Sequence, residues 1–438
     1  MKPRWALALY AALWRLLLPL ALLRLWWRGR AEPVYRQRWG DRLGWTRRPA
    51  MQTASGAPLI WLHAVSLGET RAAAPLIAAL RQQCPGMRLL LTHMTATGWQ
   101  AGAALLQPGD AQAWLPYDLP GPMRRFLRQH RPDVAVLIET EVWPNLAVQC
   151  RRLGLPLLLA NARLSARSAR RWQRWPALAQ AAWPGLDVAA QTPGDAQRIA
   201  ALGAARVQVM GNLKFDMQPD AGLLRLGAQW RQAARRPVLL LASTRSAGAD
   251  SEEQMLLRAM PPELVQRALL VWVPRHPQRF DAVAQLLAAH GLAVQRRSAA
   301  PPSGQTAVWL GDSIGEMAAY YAMADCAFIG GSLLPLGGQN LIEACACGCP
   351  VVLGPSLFNF ADAAQAACDA GAAVQVHDAA QAWQALTDWL DDAAARDAAS
   401  RRAREFAAAH QGAAARQARW IAAHLPQTSV PRQSVQRH

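Results

Sequence analysis

From about residue 57 the chain alternates short apolar runs with longer stretches in which apolar residues recur every three or four positions, with polar or glycine-containing turns between them. That rhythm predicts strand, turn and helix in repetition, the pattern of a parallel sheet covered by helices on both faces. Apolar runs at 59–65, 88–93, 133–138, 156–160 and 187–190 supply a first set of strands. A second set, at 237–242, 269–273, 306–310, 325–329 and 350–353, follows a polar passage at 216–236 that reads as a linker. Two similar α/β halves predict a cleft between them, a common place for ligands. Pro75 falls inside the expected helix at 69–83 and predicts a kink or a late helix start.

Ahead of this pattern, residues 5–27 (WALALYAALWRLLLPLALLRLWW) are long enough to cross a bilayer. Arg15 and Pro19 interrupt them, and an arginine near mid-span costs about 2.5–3.5 kcal/mol on insertion scales, so a helix lying in the interface competes with a span. No small-residue cleavage site follows, and Trp5, Trp14, Trp26 and Trp27 sit where interfacial anchors sit, which favours a retained anchor over a cleaved signal. Arg28, Arg30, Arg36, Arg38 and Arg42 place the remainder on the cytoplasmic side and offer partners for anionic head groups. The expected division is an anchor at 1–30, a first domain at 31–215, a linker at 216–236, a second domain with terminal helices at 237–425, and a disordered polar tail at 426–438.

The 438 residues, 52% of them hydrophobic, are enough for two large cores, and the net charge is +18. Lysine occurs only at Lys2 and Lys214, so the basicity is arginine. No basic block alternates with exposed aromatics as a nucleic-acid groove requires, which puts a membrane surface and anionic substrates ahead of nucleic acid. Seven scattered cysteines do not make a disulfide framework. The spacing of Cys345, Cys347 and Cys349 on a helix end fits buried small side chains better than a metal centre.

Polar residues cluster after the apolar runs, at the carboxyl edge where open α/β sheets bind ligands. In the first half these are Glu69 in HAVSLGET, Thr95 to Gly98, Glu139-Thr140-Glu141, Asn161 to Arg163, and Gly211 to Lys214. Ser66-x-x-Glu69 is also a capping box, in which both side chains satisfy free amides of the first helical turn. The second half supplies Ser243-Thr244-Arg245, Arg275 between two prolines' reach with His276, Gly311 to Glu316, and Gly330-Gly331-Ser332 through Asn340 to Glu343. Glycines ahead of a helix allow amides to approach a phosphate, Arg275 has the planar fork for one, and Glu343 is placed for ribose hydroxyls. There is no Walker A sequence, no G-x-G-x-x-G after the first strand and no obvious Asp-x-Asp, which argues against a nucleoside triphosphatase or a dinucleotide-dependent dehydrogenase. A donor with a single phosphate can be served by arginine, lysine and helix amides.

Taken together, HAVSLGE, IETEVWPNL, NARLSARS, GNLKFD, VPRHPQRF, GDSIGEM and GGQNLIEACACGCPVVLGP, with YRQRWGDRLG at 35–44, closely resemble the Kdo transferases of lipopolysaccharide synthesis. The resemblance implies a GT-B glycosyltransferase, two Rossmann-like domains facing across a cleft. It implies inverting transfer of 3-deoxy-D-manno-oct-2-ulosonic acid (Kdo) from CMP-Kdo to the lipid A precursor, tetraacyl lipid IVA, at the cytoplasmic face of the inner membrane. Neither a metal nor a cofactor belongs to that expectation. By the same likeness Glu69 is the general base, with Ser66, Gly68, Glu141, Arg163 and Lys214 on the acceptor side. Ser243, Arg275, Gly315, Glu316, Asn340 and Glu343 match positions that hold the CMP moiety. The family usually has Ala-Ser-Val-Gly-Glu where Val65 to Glu69 stand here, and Ser-Thr-His before a Gly-Glu-Glu run where Ser243-Thr244-Arg245 leads to Glu252-Glu253, leaving the role of that loop open. The competing readings are another GT-B enzyme, such as a UDP-sugar lipid glycosyltransferase or a nucleotide-sugar epimerase, and a two-lobed solute-binding protein.

Overall fold

The computed structural model describes residues 2–46 and 57–426, so the expected tail at 426–438 lies, after Pro426, outside the described residues. The chain divides into two compact units: residues up to Asp216 together with those from Gly412 onward, and Met217–Gln411.

The first unit holds a sheet of seven parallel strands, β1 (Leu59–His63), β2 (Arg88–His93), β3 (Ala111–Trp114), β4 (Val134–Ile138), β5 (Leu157–Ala162), β6 (Asp187–Ala190) and β7 (Arg206–Val209), in the order β3-β2-β1-β4-β5-β6-β7. Every residue of β1 and β4 is buried, as expected of strands covered on both faces. Strand order reverses between β1 and β4, and that switch point is where the carboxyl edge opens for a ligand. β3 and β7 were not anticipated: Ala-Gln-Ala-Trp and Arg-Val-Gln-Val are short, and both lie at sheet edges. Helix α2 (Leu67–Gln83) follows β1 and continues through Pro75, two residues earlier in its start than expected and unbroken.

The second unit repeats the plan with β8 (Val238–Thr244), a small antiparallel hairpin of β9 (Ser246–Ala247) and β10 (Asp250–Ser251), then β11 (Leu269–Pro274), β12 (Val294–Arg296), β13 (Val308–Leu310), β14 (Cys326–Ile329), β15 (Val351–Leu353) and β16 (Ala373–Gln375). Its parallel sheet runs β12-β13-β11-β8-β14-β15-β16, with the switch point between β8 and β14. Cys345 and Cys349 are buried and Cys347 nearly so, and burial pushes the Cys345 thiol up to about 12.

Two expected boundaries are corrected. The passage read as a linker contains a helix, Ala221–Ala234, capped by Asp220, whose carboxylate accepts from the Leu223 amide at 2.9 Å. It belongs to the second unit, because Gly227 lies so close to the helix Met317–Met323 that an added Cβ would sit 2.4 Å from the Ala319 carbonyl, and Trp230 packs 5.0 Å from Trp309 and 5.2 Å from Tyr320. The terminal helix Ala413–Ala422 belongs to the first unit instead of the second: Ala413, Ala414, Ala418 and Ile421 join the core of α2 and the sheet. Asp216 accepts from the amides of Gly412 (2.5 Å) and Ala414 (2.7 Å), which ties the start of that helix down.

Helix α1 (Pro3–Arg28) lies along the first unit, with Ala6 and Ala11 buried, Tyr10 facing Asp118, and Trp14 5.6 Å from Tyr117. Its other face is bare: Leu9, Leu16, Leu20, Leu23 and Trp27 are each at least 60% exposed. It is long and apolar enough to cross a membrane. Of the arginines expected at head groups, Arg42 is buried, its guanidinium 4.2 Å above the Trp114 ring, and so serves the core.

Candidate active site

Ser66 enters α2 with extended backbone, and its hydroxyl accepts from the Glu69 amide at 3.5 Å. Glu69 folds back: its Oε2 accepts from the Val65 amide at 2.5 Å, and the Ser66 hydroxyl donates to its Oε1 at 3.3 Å. The capping box is therefore formed, and the same geometry holds a carboxyl at the switch point. Burial, then the charges of Glu139 and Glu141, push that carboxyl up to about 8, against the lowering effect of its two hydrogen bonds. Gly68 is exposed, and an added Cβ would approach only Ser66 Oγ, at 3.9 Å, so the space beside Glu69 is open.

Glu139 and Glu141 follow β4. Glu139, which sequence reasoning noted but did not place in the site, takes the left-handed conformation (φ +64°) and pairs with Lys214 Nζ at 3.0 Å. Burial and Glu139 raise Glu141 too. Arg163 follows β5, and its amide donates to the Glu139 carbonyl at 3.4 Å. Asn161 sits at a bulge where β5 slips against β6, also left-handed (φ +52°); its Oδ1 accepts from the Leu213 amide at 3.0 Å, and its own amide donates to Gln417 Oε1 at 2.9 Å. Glu69, Glu139, Glu141, Arg163 and Lys214 thus gather on one edge of one sheet. Asn161 is among the strand-end residues noted in the sequence, but its pairing with Gln417 leaves no signal there, since the two lie 256 residues apart.

In the second unit Ser243 is the extra residue where β8 slips against β11, with φ +56°. Gly330, after β14, passes so near that an added Cβ would stand 2.4 Å from the Ser243 carbonyl. Arg275 is exposed beside it, with Nε donating to Gln339 Oε1 at 3.2 Å. Burial and the charges of Arg275, Arg245 and Arg279 hold His276 below its usual range, which marks a strongly positive edge. Arg245 Nε is buried without a hydrogen-bond partner among the described residues.

Part of the glycine loop at this edge is already committed. The amides of Gly331 (2.6 Å), Ser332 (3.0 Å) and Leu333 (3.0 Å) do not await a phosphate, because the buried carboxylate of Glu252 accepts all three and the Arg245 amide as well (2.9 Å). Glu253 binds Arg279 at 2.7 and 2.9 Å and the Thr244 hydroxyl at 2.7 Å. The loop whose role was open is therefore a brace: Glu252 and Glu253 hold two strand ends and leave arginine side chains as the cationic groups. Glu316 pairs with Arg297 at 3.0 Å, Gly315 is exposed with φ +86°, Asn340 caps the Ile342 amide at 3.1 Å, and Glu343 lies one turn into the helix Leu341–Ala346. With Ser243 and Arg275, they stand at the carboxyl edge of the second sheet in four separate segments, at the end of β8 and after β11, β13 and β14.

Two such units define a GT-B glycosyltransferase. A glycosyltransferase structure from Rickettsia africae ESF-5 shares the fold over 86% of this chain and 100% of its own, with a TM-score of 0.59 at 13% identity. Residues 37–217 match the family described as 3-deoxy-D-manno-octulosonic-acid transferase (kdotransferase), and residues 298–406 match glycosyl transferases group 1. The chain is 47% identical to the 3-deoxy-D-manno-octulosonic acid transferase of Bordetella pertussis, over 84% of this chain and 88% of that one. It is 35% identical to the Haemophilus influenzae enzyme of the same name, over 82% and 84%. The protein belongs to the 3-deoxy-D-manno-octulosonic acid transferase family.

Proposed function

We propose that the protein transfers Kdo from CMP-Kdo to a sugar hydroxyl of tetraacyl lipid IVA, with Glu69 as general base, at the cytoplasmic face of the inner membrane. The carrying observation is the Glu69 carboxyl, held at a sheet switch point with its pKa raised to about 8 among two further carboxylates. Glu69 takes the acceptor proton as the hydroxyl oxygen bonds to the anomeric carbon; the bond from that carbon to the phosphate oxygen breaks, and CMP leaves with the electron pair. To reach the hydroxyl, Glu69 gives up its long bond to Ser66, an exchange of about 1 kcal/mol. Arg275 and Arg245 receive the leaving phosphate, since the Gly331, Ser332 and Leu333 amides are committed to Glu252. Lys214 holds Glu139 in place and offsets its charge. The test is purified protein with CMP-Kdo made in situ and lipid IVA, with mass spectrometry counting the sugars added; an unmodified acceptor would refute the reading.

A further inference from the structure

Beside α1 the first unit contains a cavity of about 500 Å³, within the ~300–1,000 Å³ of small-molecule sites. Ala6, Leu9, Tyr10 and Leu13 of α1 form one wall, and Trp175 and Leu178, at the start of the helix Pro176–Ala182, form the other. Leu9 and Trp175 are about 60% exposed (60% and 61%), so the cavity opens beside the bare apolar face of α1. Arg174 stands in the lining, and behind it the helix Ala166–Gln173 carries the exposed Arg167, Arg170 and Arg171, so that Arg170, Arg171 and Arg174 follow Arg167 by three, four and seven residues. None of these four arginines forms an ion pair among the described residues.

The cavity also adjoins the chemistry. The arginine helix begins three residues after Arg163, at the carboxyl edge that carries Glu69. On the other wall, Tyr10 faces Asp118, whose carboxylate accepts from the amides of Asn145 (3.0 Å) and Leu146 (2.9 Å) in the helix Pro144–Leu153, which begins three residues after Glu141. An apolar slot with a cationic mouth on the same edge as the base fits an amphiphile with a fatty chain and a phosphate.

We propose that this slot takes one acyl chain of the phosphorylated glycolipid acceptor, with Arg170, Arg171 and Arg174 meeting its phosphate, so that the chain slides in from the bilayer along α1. The inference deepens the proposed function and rests on it for the identity of the lipid. A chain buried here tethers the sugar end near Glu69 and lets a membrane-bound acceptor be engaged without full extraction into water.

The experiment uses the full-length protein in vesicles of phosphatidylethanolamine and phosphatidylglycerol containing lipid IVA with a photoactivatable diazirine on one acyl chain. After irradiation, peptide mapping is expected to place adducts on Leu13 or Leu178, and excess unlabelled lipid IVA is expected to suppress them roughly tenfold, as competition for one site requires. Adducts confined to Leu16, Leu20 and Leu23 on the bare face overturn the proposal, as does equal suppression by added phosphatidylglycerol, which would make the occupant a bulk lipid chain. In Ala177→Trp, which fills the slot, the ratio of kcat/KM for acylated over deacylated acceptor should fall about tenfold; an unchanged ratio also overturns it. Labelling is read without turnover, so a protein that labels the slot but transfers no sugar supports the slot and refutes the proposed reaction.

Discussion

A carboxyl at a pKa of about 8 is mostly protonated at neutral pH, and a base must first lose that proton, so Glu69 gives the reaction an acid limb. The expected kcat/KM rises with pH until about 8 and then levels. Glu139→Gln removes a neighbouring charge and should move the limb to lower pH; an unmoved limb would mean that Glu139 does not act on the base. Glu69→Gln should lower transfer by about a hundredfold to ten-thousandfold while CMP still binds. Raised folded-state pKa also has a stability sign. The contribution of Glu69 is fully present below its unfolded value near 4.5 and is lost as pH rises through about 8. Glu69→Gln should therefore melt above the wild type at pH 9, with the gap closing toward pH 5, as thermal unfolding at the two pH values would show. The cap was legible because its determinants lie three residues apart; the raised pKa was not, since Glu139 and Glu141 arrive from another strand.

Among the elements, the glycine loop after β14 owes its shape to one side chain. Glu252 spends both oxygens on four amides, three of them about 80 residues away, at separations of 79, 80 and 81. Replacing it by alanine leaves those buried donors without an acceptor and should cost about 3–5 kcal/mol, read as a lower denaturant midpoint. Arg275→Ala should instead leave stability nearly unchanged and weaken CMP binding; equal CMP affinity in calorimetry would remove Arg275 from the phosphate. The central strands were legible because burial on both faces makes continuous apolar runs. Edge strands β3, β7, β12 and β16 lack that signature, and the bulges at Asn161 and Ser243 leave none, because each is set by slippage against a neighbouring strand.

Across the whole molecule, the chain leaves the first unit after Asp216 and returns to it at Gly412, so the order of residues misstates the order of folding units. The alanine- and arginine-rich stretch near the end is uniformly helical in pattern, and nothing in that pattern says which core it completes. Its partners do: Ile421 and Ala418 fill the core beneath α2, while Gln417 accepts from the Asn161 amide at 2.9 Å and donates to the Gly211 carbonyl at 3.2 Å. Asn161 in turn fixes the Leu213 amide next to Lys214, which links the terminal helix to the edge that carries the carboxylates. Ending the chain after Gln411 strips this face from the first unit and leaves the second unit's own contacts intact. Hydrogen exchange is then expected to quicken in α2, β1 and β5 and to stay unchanged in β8, β11 and β14. Equal quickening in both units would show that the terminal helix supports the second core as well, and would return the boundary to where the amino-acid pattern first placed it.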